Sequence, residues 1–229
     1  MKNTRYSLRA LARLIAYPDA QLRSELDALL QVLDDEDAVP APRRAELRTL
    51  AVNLQRQDPL EVEARYVETF DRGRATSLHL FEHVHGDSRD RGPAMIDLVQ
   101  TYEKAGLYLG PEELPDHLGV VLEFASTQPP ALAKAFLGEM AHILNAIFSA
   151  LLKRESPYAA VIAAVLELAG QKAQAVAIPV EESMDEAWAE PEAFDGCSTR
   201  GQNRPDQAQP IHIVPKAARQ AHSSLGAQQ

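Results

Sequence analysis

The fold is decided by residues 118–168, which read LGVVLEFASTQPPALAKAFLGEMAHILNAIFSALLKRESPYAAVIAAVLEL. Apolar residues recur here every three or four positions, which is the spacing of one face of a helix. Prolines at 129, 130 and 157 divide the stretch into three predicted helices, since proline ends a helix or opens one. The predicted inward faces are Leu118, Val121, Leu122 and Ala125, then Leu132, Phe136, Met140, Ile143, Leu144, Ile147 and Leu151, then Val161, Val165 and Leu168. The middle one is predicted to be the longest helix.

The same periodicity extends back to the start of the chain. Stripes begin at Leu8, Leu22, Leu47, Val62 and Met95. Asp58-Pro59 is typical of a helix start, with a capping carboxylate and a proline at the first position. Neither an alternating strand pattern nor a repeat is found. We therefore predict an all-α protein whose residues 1–178 form a single compact, helical-bundle-like domain of about eight to nine helices.

The last part of the chain has a different composition. Residues 181–229 contain eight acidic side chains, four basic ones and four prolines, with few large apolar residues. Such a segment cannot bury enough apolar surface to offset the entropy lost on ordering. We expect residues 179–229 to form a flexible, disordered acidic tail. The apolar run at residues 211–215 is a possible docking motif within it.

Charge and cysteine content exclude several classes of protein. The 229 residues carry 33 acidic and 23 basic side chains, a net charge of −10. This charge argues against a nucleic-acid binder and against unaided docking on anionic lipid. The single cysteine, Cys197, can form no internal disulfide. The longest uncharged run, residues 140–152, is shorter than the ~20 residues of a membrane span. We expect a soluble protein of the reducing cytoplasm with no direct membrane insertion.

The densest polar segment is residues 77–92, SLHLFEHVHGDSRDRG. His79, Glu82 and His83 fit the H-x-x-E-H pattern, in which two histidines on one helix face bind zinc and the glutamate activates water. The pattern is short, and a catalytic zinc needs a third protein ligand that the sequence does not single out. Two other interpretations stay open: a helix end whose histidines form hydrogen bonds, or accessory metal binding through His79, His83 and His85. So many polar groups are costly to bury, which favours a surface position.

Two neighbouring motifs also allow a structural and a functional interpretation. Residues 86–92 alternate acids and arginines around Ser88. These pairs either lock the loop to the domain or recognise a charged peptide or phosphate. The loop lacks the glycine pattern of a nucleotide site. Asp116 either caps the helix that follows or forms an acid–histidine pair with His117 in a groove. Nucleophilic catalysis would require Ser88 to join that pair, and no G-x-S-x-G turn surrounds it.

Taken together, these segments resemble a known family. Residues 78–92, their continuation through residues 94–106 and the triplet Pro115-Asp116-His117 closely resemble the delta subunits of respiratory nitrate reductases. These are the NarJ-type molybdenum-cofactor assembly chaperones, within the redox enzyme maturation proteins. Glu63, Tyr66 and Phe70 resemble the aromatic segment that precedes the loop in that family. The resemblance covers about residues 5–175.

The resemblance implies a helical, cytoplasmic, non-catalytic chaperone without a cofactor or metal of its own. Its partner would be the immature catalytic (alpha) subunit of nitrate reductase, bound partly through the N-terminal segment and kept competent for cofactor insertion and later membrane assembly. The chain would be a monomer or weak dimer. The implied partner-binding residues are Tyr66, Phe70, His79, Glu82, His83, His85, Asp87, Ser88, Arg89, Arg91, Asp116 and His117. The alternatives are a chaperone for another molybdoenzyme, or a zinc-dependent hydrolase.

Overall fold

The computed structural model describes residues 3–86 and 89–176, and these residues form ten α-helices and one 3-10 turn, without a strand. The helices are α1 (Arg5–Leu14), α2 (Ala20–Glu36), α3 (Ala41–Arg56), α4 (Pro59–Phe70), α5 (Leu80–His85), α6 (Arg91–Lys104), α7 (Leu118–Thr127), α8 (Pro130–Glu139), α9 (Ala141–Lys153) and α10 (Ala159–Leu168); the 3-10 turn is Arg74–Thr76. The all-α prediction is confirmed. The predicted tail, residues 179–229 with the motif at 211–215, lies outside the described residues.

The centre of the domain is α10. Nine of its ten residues are buried, and α1, α3, α8 and α9 all pack against it. We expected only one inward face, with Val161, Val165 and Leu168. The helix is in fact apolar all round, which is the signature of a central helix. Its one charged residue, Glu167, forms an ion pair with Arg43 of α3 at 3.0 Å.

Two helix starts show how local sequence places these elements. The Asp58 carboxylate accepts hydrogen bonds from the amides of Leu60 and Glu61, as the Asp58-Pro59 pattern predicts. The Asp19 carboxylate caps α2 in the same manner through the amide of Leu22. Pro18 separates α1 from α2, and these two helices pack side by side. In turn α1 packs against α7, far along the chain.

The expected long helix over residues 132–151 is wrong. The chain bends by 66° at Met140, between α8 and α9. The apolar stripe continues through the bend because Leu137, Met140 and Ile143 all face the core. Periodicity alone therefore could not reveal the break. In the described part of the chain no single helix is long and apolar enough to cross a membrane; only this bent pair meets that test by length and composition.

An aromatic cluster joins α4 to the start of α10. Tyr66 lies between Phe70 and Tyr158, with ring centroids 4.7 and 5.7 Å away, and Tyr17 contacts its edge. The Tyr66 hydroxyl donates a hydrogen bond to the backbone carbonyl of Ile15 at 2.9 Å. The Tyr158 hydroxyl is buried and has no hydrogen-bond partner among the described residues. The cluster attaches α4 to the end of α1.

These two tyrosines make a matched test of the buried hydrogen bond. Tyr66→Phe leaves the Ile15 carbonyl without its partner, so we expect a loss of about 1–2 kcal/mol in the free energy of unfolding. Tyr158→Phe removes a hydroxyl that pairs with nothing and should change stability by less than about 0.5 kcal/mol. Urea unfolding followed by circular dichroism measures both. Equal losses in the two variants would contradict this account.

Candidate functional site

The histidine-rich segment is joined to the Pro115-Asp116-His117 triplet by backbone hydrogen bonds. The Leu80 amide donates to the carbonyl of Asp116 at 3.0 Å, and the Leu118 amide donates to that of Leu78 at 2.8 Å. Together they form an isolated antiparallel bridge between His79 and His117. The two motifs, which lie 38 residues apart in sequence, thus form one site. Both motifs are visible in the sequence, but the contact between them is not.

Asp116 is the centre of this site. It is fully buried, and it is the only buried charged residue in the part of the chain that the structure describes. One carboxylate oxygen accepts a hydrogen bond from the Phe81 amide at 3.2 Å and lies 3.7 Å from Arg91 Nη2. The other lies 3.5 Å from His79 Nδ1. That distance is long for a hydrogen bond, so the attraction between these two groups is chiefly electrostatic.

One expectation for Asp116 is therefore wrong. Asp116 does not cap α7, the helix that follows it. His117 does so, since its Nδ1 accepts a hydrogen bond from the Gly119 amide at 3.2 Å. Asp116 instead caps α5, a helix that precedes it by more than thirty residues, through the Phe81 amide. Local sequence shows that a capping carboxylate is present but does not show which helix it reaches.

The side chains of the H-x-x-E-H pattern have other partners. His79 precedes α5, which begins at Leu80, so it does not share a helix face with His83. His83 Nε2 donates to the Ser77 carbonyl at 2.8 Å. The Glu82 carboxylate accepts from the Ser77 hydroxyl at 2.6 Å and pairs with Arg91 at 3.4 Å. Among the described residues, no group of three or more His, Cys, Asp or Glu side chains could hold a metal ion.

The segment is only partly at the surface. Ser77, Leu78 and Leu80 are buried, whereas Arg89 is exposed. Ser77, Glu82 and His83 are accommodated there because they hydrogen-bond to one another and to the backbone. Asp87 and Ser88 lie outside the described residues. Arg91 pairs with Glu82 and Asp116, so it ties the loop to the domain, as one of the two interpretations of residues 86–92 held.

Burial and neighbouring charges shift the pKa values of His79, Asp116 and His117 in different directions. The contact with the Asp116 carboxylate raises the pKa of His79, against the effect of its partial burial. Burial alone would raise the pKa of Asp116, but the contacts with His79, the Phe81 amide and Arg91 together hold it below its ordinary value. Burial, with the charge of nearby His79, lowers the pKa of His117. The geometry thus favours a charged His79 beside a neutral His117.

A groove of about 430 Å³ lies next to the site, between α1, α7 and the segment that joins α6 to α7. Its floor contains Tyr102 and Phe124, whose ring centroids are 4.5 Å apart, and a second ring contact joins Phe124 to Phe136 at 5.0 Å. Leu107, Leu109 and Val120 form apolar walls; Glu113, Glu123, Arg9, Tyr108 and Thr127 complete the lining. The groove is apolar inside and carries two carboxylates and one guanidinium.

The groove and the Asp116 site share a structural element. The hydroxyl of Tyr102, in the groove floor, donates a hydrogen bond to the Pro115 carbonyl at 2.8 Å. Pro115 immediately precedes Asp116. The ring that forms the floor therefore also fixes the backbone that presents the central carboxylate.

Sequence reasoning missed the groove residues. A usable signal was the run Leu107-Tyr108-Leu109 between Gly106 and Gly110, since three apolar residues in a glycine-bounded linker need a surface to contact. Conversely, Tyr66 and Phe70 are core residues, 7% and 5% exposed. Their packing is structural, and a direct role in partner binding stays a prediction.

The pH dependence of stability tests the electrostatics of the site. The folded state binds the proton of His79 more tightly, so this group stabilises the fold below its ordinary pKa of 6.5, and the contribution is lost as the pH rises through the higher folded value. His79→Gln should therefore lose more stability at about pH 5.5 than at about pH 8.5. His117→Gln is the matched control with the opposite sign, because the lowered pKa of His117 contributes stability at high pH that is lost on acidification. If the stability losses of the two variants depended on pH in the same way, the opposite pKa shifts of His79 and His117 would be refuted.

Comparisons with known proteins agree with one another. The model of a family described as nitrate reductase delta subunit matches residues 36–164. The nitrate reductase molybdenum cofactor assembly chaperone NarJ of Escherichia coli K12 is 41% identical over 186 residues, which cover 81% of this chain and 78% of NarJ. A second protein of that strain, NarW, assigned as such a chaperone, is 40% identical over 189 residues, 82% of this chain and 78% of NarW.

One solved structure supports the fold. A protein of Archaeoglobus fulgidus assigned as a redox enzyme maturation protein matches with a TM-score of 0.52, covering 75% of this chain and 96% of that one. At 20% identity this likeness concerns the fold alone. The family match, by contrast, spans both motifs of the Asp116 site and most of the helices around it. The chain belongs to the nitrate reductase delta subunit family.

Proposed function

We propose that this protein is a non-catalytic cytoplasmic chaperone that binds the immature alpha subunit of respiratory nitrate reductase and keeps it competent for molybdenum-cofactor insertion. The observation that carries the proposal is the 41% identity to an assembly chaperone of that enzyme over 81% of the chain. The described residues add a groove with the chemistry of a peptide site. The cofactor belongs to the client enzyme, so the chaperone needs no metal site of its own.

The groove fits one face of an amphipathic helix. Helix-in-groove recognition requires an apolar floor that accepts side chains three or four positions apart. Tyr102, Phe124 and Val120 supply such a floor and wall. We assign the N-terminal segment of the alpha subunit to this groove, since that is the segment the family resemblance implies.

Charge favours a basic segment. Glu113 and Glu123 line the groove beside Arg9, and the whole protein has a net charge of −10. A complementary potential chiefly accelerates encounter and selects the orientation of the partner, and it weakens in salt. A peptide with an apolar face and basic flanks therefore matches the groove in shape and in sign.

The Asp116 site has a second role in this proposal. Its buried contacts hold the 77–85 segment against α7, and this leaves the exposed residue Arg89 at the edge of the site. We propose that this edge contacts the body of the immature subunit, whereas the groove takes the N-terminal segment. His79, Glu82, His83, Arg91 and Asp116 then act by holding the segment in place more than by direct contact.

The client could also be a different molybdoenzyme, such as a dimethyl sulfoxide or trimethylamine oxide reductase. The neighbouring genes separate the two, because an operon that encodes nitrate reductase subunits identifies the client. The zinc-hydrolase alternative gains no support from the geometry, since Glu82 and His83 are held by Ser77. Zinc analysis of the purified protein tests it.

The groove assignment predicts the effect of a buried charge. Val120→Asp places a carboxylate in the apolar groove wall, where it would lose its water when an apolar peptide face binds, so it should weaken binding of a synthetic peptide copying the alpha-subunit N-terminus by about tenfold or more. Calorimetry at low and moderate salt measures this, and salt should also weaken binding to the wild-type protein.

A matched control separates binding from folding. Val32 is, like Val120, half-buried against the core, but it lies on α2 outside the groove. Val32→Asp should lower stability by a similar amount and leave peptide affinity unchanged. Equal weakening of peptide binding by both variants would count against the groove.

The edge assignment predicts a phenotype in cells. Arg89→Glu reverses an exposed charge at the Asp116 site, so nitrate reductase activity should fall several-fold while the melting temperature of the chaperone stays within about 1 °C of wild type. Arg56→Glu, an exposed charge reversal at the end of α3, is the control and should leave activity unchanged. Normal activity in the Arg89 variant would remove the edge from the binding surface.

A further inference from the structure

Tyr108 is the most exposed large hydrophobic side chain in the part of the chain that the structure describes. It is 81% exposed, although it is one of the residues that line the groove. Leu107 and Leu109, on either side of it, are half-buried and pack against the core. The two leucines thus hold this part of the linker in place while the tyrosine ring extends from the rim.

The backbone around Tyr108 is fixed at both ends. The Leu107 amide donates to the Tyr102 carbonyl at 3.0 Å, directly after Gly106, whose positive φ of 80° makes the turn that ends α6. On the far side the Gly110 amide donates to the Glu113 carboxylate at 2.8 Å. A change in side-chain torsion is therefore enough to move the ring, and such changes at an exposed residue take picoseconds to nanoseconds.

The groove has an aromatic floor and aliphatic walls, and its open side is left uncovered. Tyr102 and Phe124 form the floor, and Leu107, Leu109 and Val120 form the walls. A ring laid over the opening would enclose an apolar side chain and exclude water from it. Tyrosine suits this task because it supplies a large contact area, has only two side-chain torsions to fix and tolerates solvent on its hydroxyl side.

We propose that Tyr108 closes over the bound segment and is a specificity-determining residue of the groove. This inference rests on the proposed function, since it takes the N-terminal segment of the alpha subunit as the occupant. The ring would pack on a large apolar side chain of that segment, opposite the floor formed by Tyr102 and Phe124. Contacts of this kind, central and shielded from water, dominate the affinity of peptide interfaces.

The test compares Tyr108→Ala, Tyr108→Phe and a second exposed tyrosine. Calorimetry with the alpha-subunit N-terminal peptide should show binding about tenfold weaker or more for Tyr108→Ala, and within about threefold of wild type for Tyr108→Phe, which keeps the ring. Tyr6→Ala is the control, because Tyr6 is 52% exposed and lies outside the groove lining. Its affinity should equal that of wild type, and melting temperatures should agree among all four proteins.

Variants of the peptide provide a second measurement. Replacing its large apolar residues one at a time by alanine should identify a position whose loss costs much less affinity in Tyr108→Ala than in wild type. Wild-type affinity in Tyr108→Ala, with Val120→Asp still weakened, would overturn the role of Tyr108 and leave the groove intact. No binding to the wild-type protein would overturn the proposed function, and this inference with it.

Discussion

The burial of a helix that has no polar face organises this domain. Because α10 is apolar all round, it must be covered on every side, and α1, α3, α8 and α9 supply that cover. The single charge on α10, Glu167, is neutralised by Arg43 of a covering helix. Glu167 is only partly buried, and its ion pair with Arg43 helps to fix the register of α3 on α10. The other helices extend outward from this arrangement.

A second constraint acts at the edge of the domain. Asp116 is buried, so its carboxylate must be compensated by nearby donors and positive charge. The Phe81 amide, His79 and Arg91 provide them, and all three come from the segment that precedes α6 or from its first turn. Because the Asp116 charge must be compensated, the polar 77–85 segment is held against α7 in a defined conformation. The hydrogen bond from the Tyr102 hydroxyl to the Pro115 carbonyl connects this segment to the floor of the neighbouring groove.

Much of the fold could be predicted from the sequence, but the site could be predicted only in part. Apolar periodicity predicts the helices, and Asp58-Pro59 predicts a helix start that the structure confirms. Periodicity failed at Met140, since the stripe continues across the bend, and at α10, where every face is apolar. Residue identity also marked Asp116 and the histidines as important. It could not show that Asp116 caps α5 through the Phe81 amide, thirty-five residues earlier in the sequence, because that contact depends on tertiary packing. The groove was missed for the same reason: its floor and walls come from separate parts of the chain.

The packing of α1 has a consequence for how the chain acquires its structure. This helix lies at the beginning of the sequence, yet two of its neighbours are α7 and α10, more than a hundred residues later. Contacts of such long sequence separation close large loops, and they slow folding. During synthesis α2 can cover part of the apolar face of α1, but the rest stays uncovered until α7 and α10 have emerged. By this topology, the domain reaches its stable form only after almost all of its helices have been made.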